Sequence, residues 1–442
     1  MSLMFSRRSC WDLRLNKLTE LLLDKRRAGE PIMDLTNANP TCAGFEYPAT
    51  IQDRLARCDI YSYQPDPAGL LIARRAVQAY YAERGIGVDD DRILLTASTS
   101  EAYSFLFKLL TDSGDQILVP QPSYPLFEFL AGLEHVETRS YPLHYDNGWH
   151  IDLDRLAAAL TQRCRAIVLV HPNNPTGSFI KNAERRVLED LAREFDLALI
   201  VDEVFADYAW GEDAERVASF AGRLTGKRLS PLVGAPTDND RARSTEAPTD
   251  KDLGPAVNVP MPQDDSPSAD AEVLTFTLSG LSKVMGLPQM KLGWIVVGGP
   301  EAVRREAWQR LEVIADTYLS VATPIQEALP QLLPLYRRIQ AQIKARVMEN
   351  YVVLSKRCGA VSAVDLLQCD GGWYATLAVP MDDEEAWSLA LLRQAGVFVH
   401  PGYFFDFRRE GFVVLSLLTE KVLFRQGVEG LLGFILADKS LR

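Results

Sequence analysis

Residues 165–205 read RAIVLVHPNNPTGSFIKNAERRVLEDLAREFDLALIVDEVF, and this stretch decides the fold. RAIVLV (165–170) and LALIV (197–201) are unbroken aliphatic runs, too short for helices and rich in β-branched residues. Between them, residues 182–195 carry the 3.6-residue apolar spacing of a helix. A strand, a helix and a second strand in this order form a parallel pair buried on both faces. Similar runs lie outward on both sides: RILLT (92–96), QILV (116–119), VLTFT (273–277) and GWIVV (293–297). Helical spacing recurs at 69–84, 100–110 and 152–160. The pattern predicts an α/β protein whose large domain has a mostly parallel sheet flanked by helices.

From about residue 323 the pattern changes to α+β. A long helical stretch through residue 350 is followed by strand-like pieces at 373–379, 397–400 and 412–417. The expected division is an N-terminal segment, 1–60, packing with the small domain, then a large domain, 61–320, and a small domain, 321–442. Residues 222–270 fit neither domain. They are rich in Pro, Asp, Ser and Thr and poor in aromatics, a composition that cannot offset its ordering entropy by burial, so an insertion is expected there.

Composition narrows the function classes. A net charge of −12 argues against nucleic acid, which needs a basic face. The six cysteines are scattered, without CxxC pairs or metal-ligand spacing, as expected of reduced thiols in a cytoplasm. The opening MSLMFSRRSCWDLR lacks a signal peptide's apolar run, and no stretch approaches the roughly 20 apolar residues of a membrane span.

In open α/β sheets ligands sit beyond the carboxyl ends of the strands. There RAIVLV runs into His171-Pro172-Asn173-Asn174, LALIV into Asp202-Glu203, and VLTFT into Leu278-Ser279-Gly280-Leu281-Ser282-Lys283. An amide, a carboxylate and a lysine therefore face one crevice. Singly, each has an ordinary structural explanation: a turn amide, a helix-capping carboxylate, a surface lysine. Together they suit a pyridine cofactor, with the lysine joined to its aldehyde, the carboxylate keeping the ring nitrogen protonated and the amide bonding the ring hydroxyl.

With NNPTG (173–177), DEVF (202–205), LSK (281–283), GLP (286–288) and GW (293–294), the chain resembles the fold type I pyridoxal-phosphate enzymes, specifically the class I/II aminotransferases. The resemblance covers nearly the whole chain except the insertion. It implies pyridoxal 5'-phosphate as cofactor, Lys283 as the Schiff-base lysine and proton carrier, Asp202 on the ring nitrogen and Asn174 on the ring oxygen. It further implies that Thr99 and Ser100, at a helix start, hold the cofactor phosphate, and that Tyr124 stacks on the ring. Tyr63, in YSYQPDPAGL, resembles a tyrosine that reaches the phosphate of the neighbouring subunit, which implies a homodimer with shared sites. Asn39, in TNANPT, resembles a segment that closes over substrate.

The chain departs from the family at four places. Phe205 replaces a tyrosine, and Gly280 stands where many relatives have a phosphate-binding serine, leaving Ser279 or Ser282 as substitutes. Lys291 takes the place of a phosphate-binding arginine, keeping the charge without the fork. Val414 stands where an arginine clamps the substrate α-carboxylate, and no arginine occurs in EGFVVLSLLTEK. Arg408 and Arg409, just before it, are the nearest replacements. The expected activity is amino transfer from an amino acid or amine to a keto acid by a ping-pong mechanism. A lyase or decarboxylase on the same fold is the alternative, and a transcription-regulator role is disfavoured by the acidic chain.

Overall fold

The computed structural model describes residues 4–57, 61–225 and 272–437. Most of the expected insertion lies outside the described residues. Its first part does not: Arg223–Leu224 pairs antiparallel with Ile86–Gly87.

Eight strands form the central sheet: β1 (Ile93–Thr96), β2 (Gln116–Gln121), β3 (Glu137–Tyr145), β4 (Trp149–Ile151), β5 (Cys164–Val170), β6 (Ala198–Asp202), β7 (Thr275–Gly280) and β8 (Gly293–Gly298). Their order is β1-β8-β7-β6-β5-β2-β3-β4. The run β7-β6-β5-β2-β3 is parallel throughout. β8 runs antiparallel between β7 and β1, and β4 returns antiparallel at the far edge.

The aliphatic runs are central because both their faces are covered. Phe276, Leu278, Ile200 and Val168 join one core beneath the helices Thr99–Leu110 and Glu301–Tyr318. Leu199, Val201, Ile167 and Leu169 join another on the opposite face, with Leu188 of the helix Asn182–Glu194. Burying each such side chain contributes about 1.5–3 kcal/mol. The penultimate strand β3 lacks an unbroken apolar run: only Tyr141, Pro142 and Leu143 of its nine residues are buried.

A second, antiparallel sheet follows: β9 (Asp365–Leu366), β10 (Tyr374–Ala378), β11 (His400–Pro401) and β12 (Phe412–Ser416), in the order β9-β10-β12-β11. The N-terminal segment packs with this part of the chain. Leu18 and Leu22 of the helix Lys17–Arg27 meet Leu389, Leu392 and Phe398, while Met33–Asp34 pairs with Val397–Phe398. The long helix expected from residue 323 is instead two, Thr323–Leu332 and Tyr336–Cys358, separated by a 3-10 turn at Leu333–Leu335. Pro334, which has no amide to donate and whose ring crowds the preceding turn, lies within the break.

Candidate active site

Strand register brings the three chemical segments together. Asp202 ends β6 opposite Val170 on one side and Leu278 on the other. The His171 amide donates to the Asp202 carbonyl at 2.8 Å, and the Glu203 amide to that of Leu278 at 2.8 Å. The three chain exits are thereby fixed side by side.

His171 shapes the first exit. Its Nδ1 accepts from the Ile180 amide at 3.0 Å, so Nε2 carries the proton and donates to the Val217 carbonyl at 2.9 Å. Burial pushes its pKa down to about 3, keeping the ring neutral. Gly177, at φ +72°, closes the turn against the second part of the chain, where a Cβ would lie 2.5 Å from the Gly371 carbonyl oxygen. Within this turn Asn174 is 8% exposed, and its side-chain Oδ1 has no hydrogen-bond partner. The buried Ser123 and Ser279 hydroxyls are also unpartnered. Buried polar atoms without partners are rare and unfavourable, so a polar ligand at these strand ends fits them.

Asp202 accepts from the Val204 amide at 3.0 Å and from the Tyr103 hydroxyl at 3.3 Å. Burial outweighs these bonds and the nearby Lys283, raising its pKa to about 6. Lys283 is shifted the other way: burial holds its ammonium below the usual lysine range, opposed only by Asp202. Its Nζ lies 5.5 Å from the Phe205 ring centroid and 5.4 Å from that of Trp373. A lysine so placed has a larger share of the neutral, nucleophilic amine.

The backbone carrying Lys283 is held from below. Tyr208 donates its hydroxyl to the Lys283 carbonyl at 2.7 Å, and Gln340 donates to the Val284 carbonyl at 2.9 Å. Gln340 and Tyr80 both donate to Asp207, at 2.6 and 2.8 Å, and Arg84 pairs with its other oxygen at 3.1 Å. Sequence reading missed Tyr103, Tyr208, Trp373 and Gln340. Their roles depend on contacts across long stretches of chain, and no local motif marks them.

Next to this cluster is the start of the helix Thr99–Leu110. Ser98 caps it by accepting from the Glu101 amide at 3.1 Å, while the Glu101 carboxylate accepts from the Ala97 amide at 2.6 Å. The amides of Thr99 and Ser100, in the first turn, have no intrahelical acceptor. A Cβ on Gly293 would lie 3.1 Å from the Ser279 carbonyl oxygen and 3.2 Å from both the Ser98 carbonyl carbon and Thr96 Oγ1. Lys291, two residues earlier, is exposed and left-handed at φ 48°. A Cβ on Gly280 would lie 2.9 Å from Gly293 Cα, so a serine cannot stand there without separating β7 from β8. Gly280→Ser is expected to destabilise the protein by about 1–3 kcal/mol, measured by chemical denaturation; an unchanged midpoint would show that the strands yield. Ser279 presents the buried, unpartnered hydroxyl, whereas Ser282 is part-buried.

Other expected site residues are less enclosed. Tyr124 is 48% exposed and near Tyr374, whose pKa is raised by burial first and by Tyr124 second. Tyr63 is 72% exposed. Asn39 is engaged in its own turn: its oxygen accepts from the Thr41 amide and hydroxyl at 3.1 and 2.8 Å, and its amide contacts Cys42. The neighbouring Asn37 instead ties this segment to β12, its carbonyl accepting from the Ser416 hydroxyl at 2.8 Å. Arg408 and Arg409 are exposed, and Arg409 lies over the Phe412 ring at 5.0 Å. Among the described residues no cluster of His, Cys, Asp and Glu could hold a metal ion, and no helix is long and apolar enough to cross a membrane.

The sequence matches the family Aminotransferase class I and II over residues 36–425. It is 28% identical over 334 residues to the glutamate-pyruvate aminotransferase AlaA of Escherichia coli, covering 75% of this chain and 70% of that protein. It is 26% identical over 393 residues to the alanine aminotransferase of Mycobacterium tuberculosis, covering 86% and 79%. The fold is similar to that of an aminotransferase from Escherichia coli, at a TM-score of 0.78 and 22% identity over 99% of both chains. It is also similar to an alanine aminotransferase from Pyrococcus furiosus, at 0.76 and 20% over 98% of this chain and 100% of that one. The chain belongs to the class I and II aminotransferases, a pyridoxal-phosphate-dependent family of transferases.

Proposed function

We propose that the protein binds pyridoxal 5'-phosphate at the strand ends and transfers an amino group from a small-molecule donor to a keto acid in two half-reactions. The carrying observation is that the Asp202 carboxylate acts on the buried Lys283 amine from the adjacent strands β6 and β7, with the buried side-chain oxygen of Asn174, just past β5, unpartnered. When bound, the cofactor supplies an aldehyde that exchanges its oxygen for an amino group and a ring that withdraws electrons.

This chain's residues supply the rest. Asp202 faces the ring nitrogen and keeps it protonated. Asn174 bonds the ring oxygen, and Tyr124 covers one ring face. The first-turn amides at Thr99 and Ser100 hold the phosphate, with Lys291 and the Ser279 hydroxyl as neighbours; the part-buried Ser282 contributes from the same turn. Lys283 holds the aldehyde and then moves the proton, while Phe205 and Trp373 keep water from its amine. Asn39 borders the substrate side through the turn that Asn37 anchors. Exposed Tyr63 suits a role across a homodimer interface. The proposed domain division follows the two sheets, 61–320 and 321–442. Free thiols, buried at Cys164, Cys358 and Cys369 and exposed at Cys10 and Cys42, suit the cytoplasm.

The test is spectroscopic. Purified protein with added pyridoxal phosphate is expected to show a yellow, Lys283-dependent absorption band. Amino donors should bleach it, and a keto acid should restore it. Failure to form the band would overturn the proposal, and release of ammonia or carbon dioxide without any acceptor would replace it with a lyase or decarboxylase.

A further inference from the structure

Resting on that reading, a substrate class can be drawn from the sheet facing Lys283. Val414 lies in β12 opposite Thr376 of β10 and His400 of β11. Directly opposed residues share a sheet face, and alternate residues along a strand return to it. Tyr374, Thr376, Val414, Ser416 and His400 therefore form one face, while Val413 and Leu415 enter the core on the other. Tyr374 places this face beside the lysine, its ring 6.4 Å from that of Phe205, over which the Lys283 ammonium lies. At its far end, Ser416 binds the carbonyl of Asn37.

This face is polar but uncharged. The Thr376 hydroxyl and His400 Nδ1 are buried and unpartnered. Burial depresses the His400 pKa to about 4, opposed among the described residues by the Asp34 charge, so the ring is neutral at physiological pH. Among the described residues no lysine or arginine charge acts on the His400 ring. Arg346 gives its Nη1 to the carbonyls of Ala43, Leu418 and Thr419, while its Nε is buried and unpartnered. Arg409 lies over Phe412, and Arg408 is exposed to solvent. Lys291 follows the turn leading into β8, on the side of the helix start at Ser98. Among the described residues, the Asp202 carboxylate is the charge acting on Lys283. A carboxylate seated against Val414 would lose its water and gain no cation, a strongly unfavourable exchange. A hydroxyl, an amide or a hydrocarbon would meet no such penalty, and Thr376 and His400 can bond the first two.

We propose that the subsite formed by Thr376, Val414 and His400 takes an uncharged group, so that the amino donor is a primary amine, amino alcohol or amino amide rather than an α-amino acid. Val414 is the specificity-determining residue.

Matched pairs test this with the holoenzyme. Bleaching of the yellow band is followed with phenylalanine against phenethylamine, and with alanine against ethylamine. The expected second-order rate constants favour the amine by roughly ten- to a hundred-fold, the range carried by one charged hydrogen bond. Calorimetry gives a reading independent of turnover, with 3-phenylpropan-1-ol expected to bind at least about ten-fold more tightly than 3-phenylpropanoate. Val414→Arg, accepted only if the band persists, should shift both ratios toward the carboxylate. If the band forms but amino acids bleach it as fast as their amines, this inference falls while the aminotransferase reading stands. A protein that forms no band takes both down.

Discussion

Lys283→Ala is expected to lower kcat for amino transfer by about 10⁴-fold or more and to remove the yellow band. One amine performs two tasks here, holding the aldehyde and carrying the proton, so its loss is not confined to binding. Both tasks need a neutral amine at working pH, and burial supplies it by disfavouring the ammonium form. The Phe205 and Trp373 rings lie 5.5 and 5.4 Å from that amine. Lys283→Arg should be almost as inactive, because guanidinium retains the charge but does not lose its proton. Neither variant should unfold the protein. Lys283 is held through its carbonyl by Tyr208, and that bond survives any side-chain change. The checks are steady-state kinetics, the visible spectrum and a thermal melt. Activity within ten-fold of wild type in Lys283→Ala, with an intact fold, would remove Lys283 from the chemistry.

The parts of this architecture legible in the sequence are those with a local physical cause. β5, β6 and β7 are buried on both faces, so β5 and β6 are almost wholly aliphatic and β7 alternates Thr with Phe and Leu, and the residues just past their ends had to converge. β3 escaped notice because its buried part is only Tyr141-Pro142-Leu143. Pro334 was visible, yet the helical spacing on either side of it obscured the break at Leu333–Leu335. The site shows the same division. Asn174, Asp202 and Lys283 announce themselves by following strands. Tyr103 reaches Asp202 from 99 residues away, and Tyr208 reaches Lys283 from 75, separations that no motif encodes. Asn39 shows the converse: its turn is fully explained by local hydrogen bonds, and the tie to the sheet passes through Asn37. Val414 was conspicuous as a missing arginine, but the neutral face around it emerged only from the pairing with Thr376 and His400.

Asp202→Asn is expected to lower turnover by roughly 10²–10⁴-fold, with a pH signature that separates chemistry from structure. In the cofactor-free protein the Asp202 carboxyl has a pKa of about 6 against an ordinary 3.8, because burial outweighs the bonds from Val204 and Tyr103 and the charge of Lys283. Below about pH 6 it is therefore protonated and cannot hold the ring nitrogen charged, so cofactor affinity should fall as pH drops through that value. Near pH 6, cofactor binding should release a proton. Stability runs in the opposite sense. The folded state binds this proton more tightly than the unfolded chain, so the contribution is fully present below the ordinary value of 3.8 and lost as pH rises through about 6. Above that, ionised Asp202 weighs against the cofactor-free fold by up to about 3 kcal/mol. Asp202→Asn, carrying no charge, should thus raise the melting temperature of the cofactor-free protein at about pH 8, and by only about a third as much at about pH 4.5. Added pyridoxal phosphate should reverse the order at the higher pH, since only wild type pairs with the ring. A variant less stable than wild type without cofactor at both pH values would mean that Asp202 serves the fold rather than the cofactor.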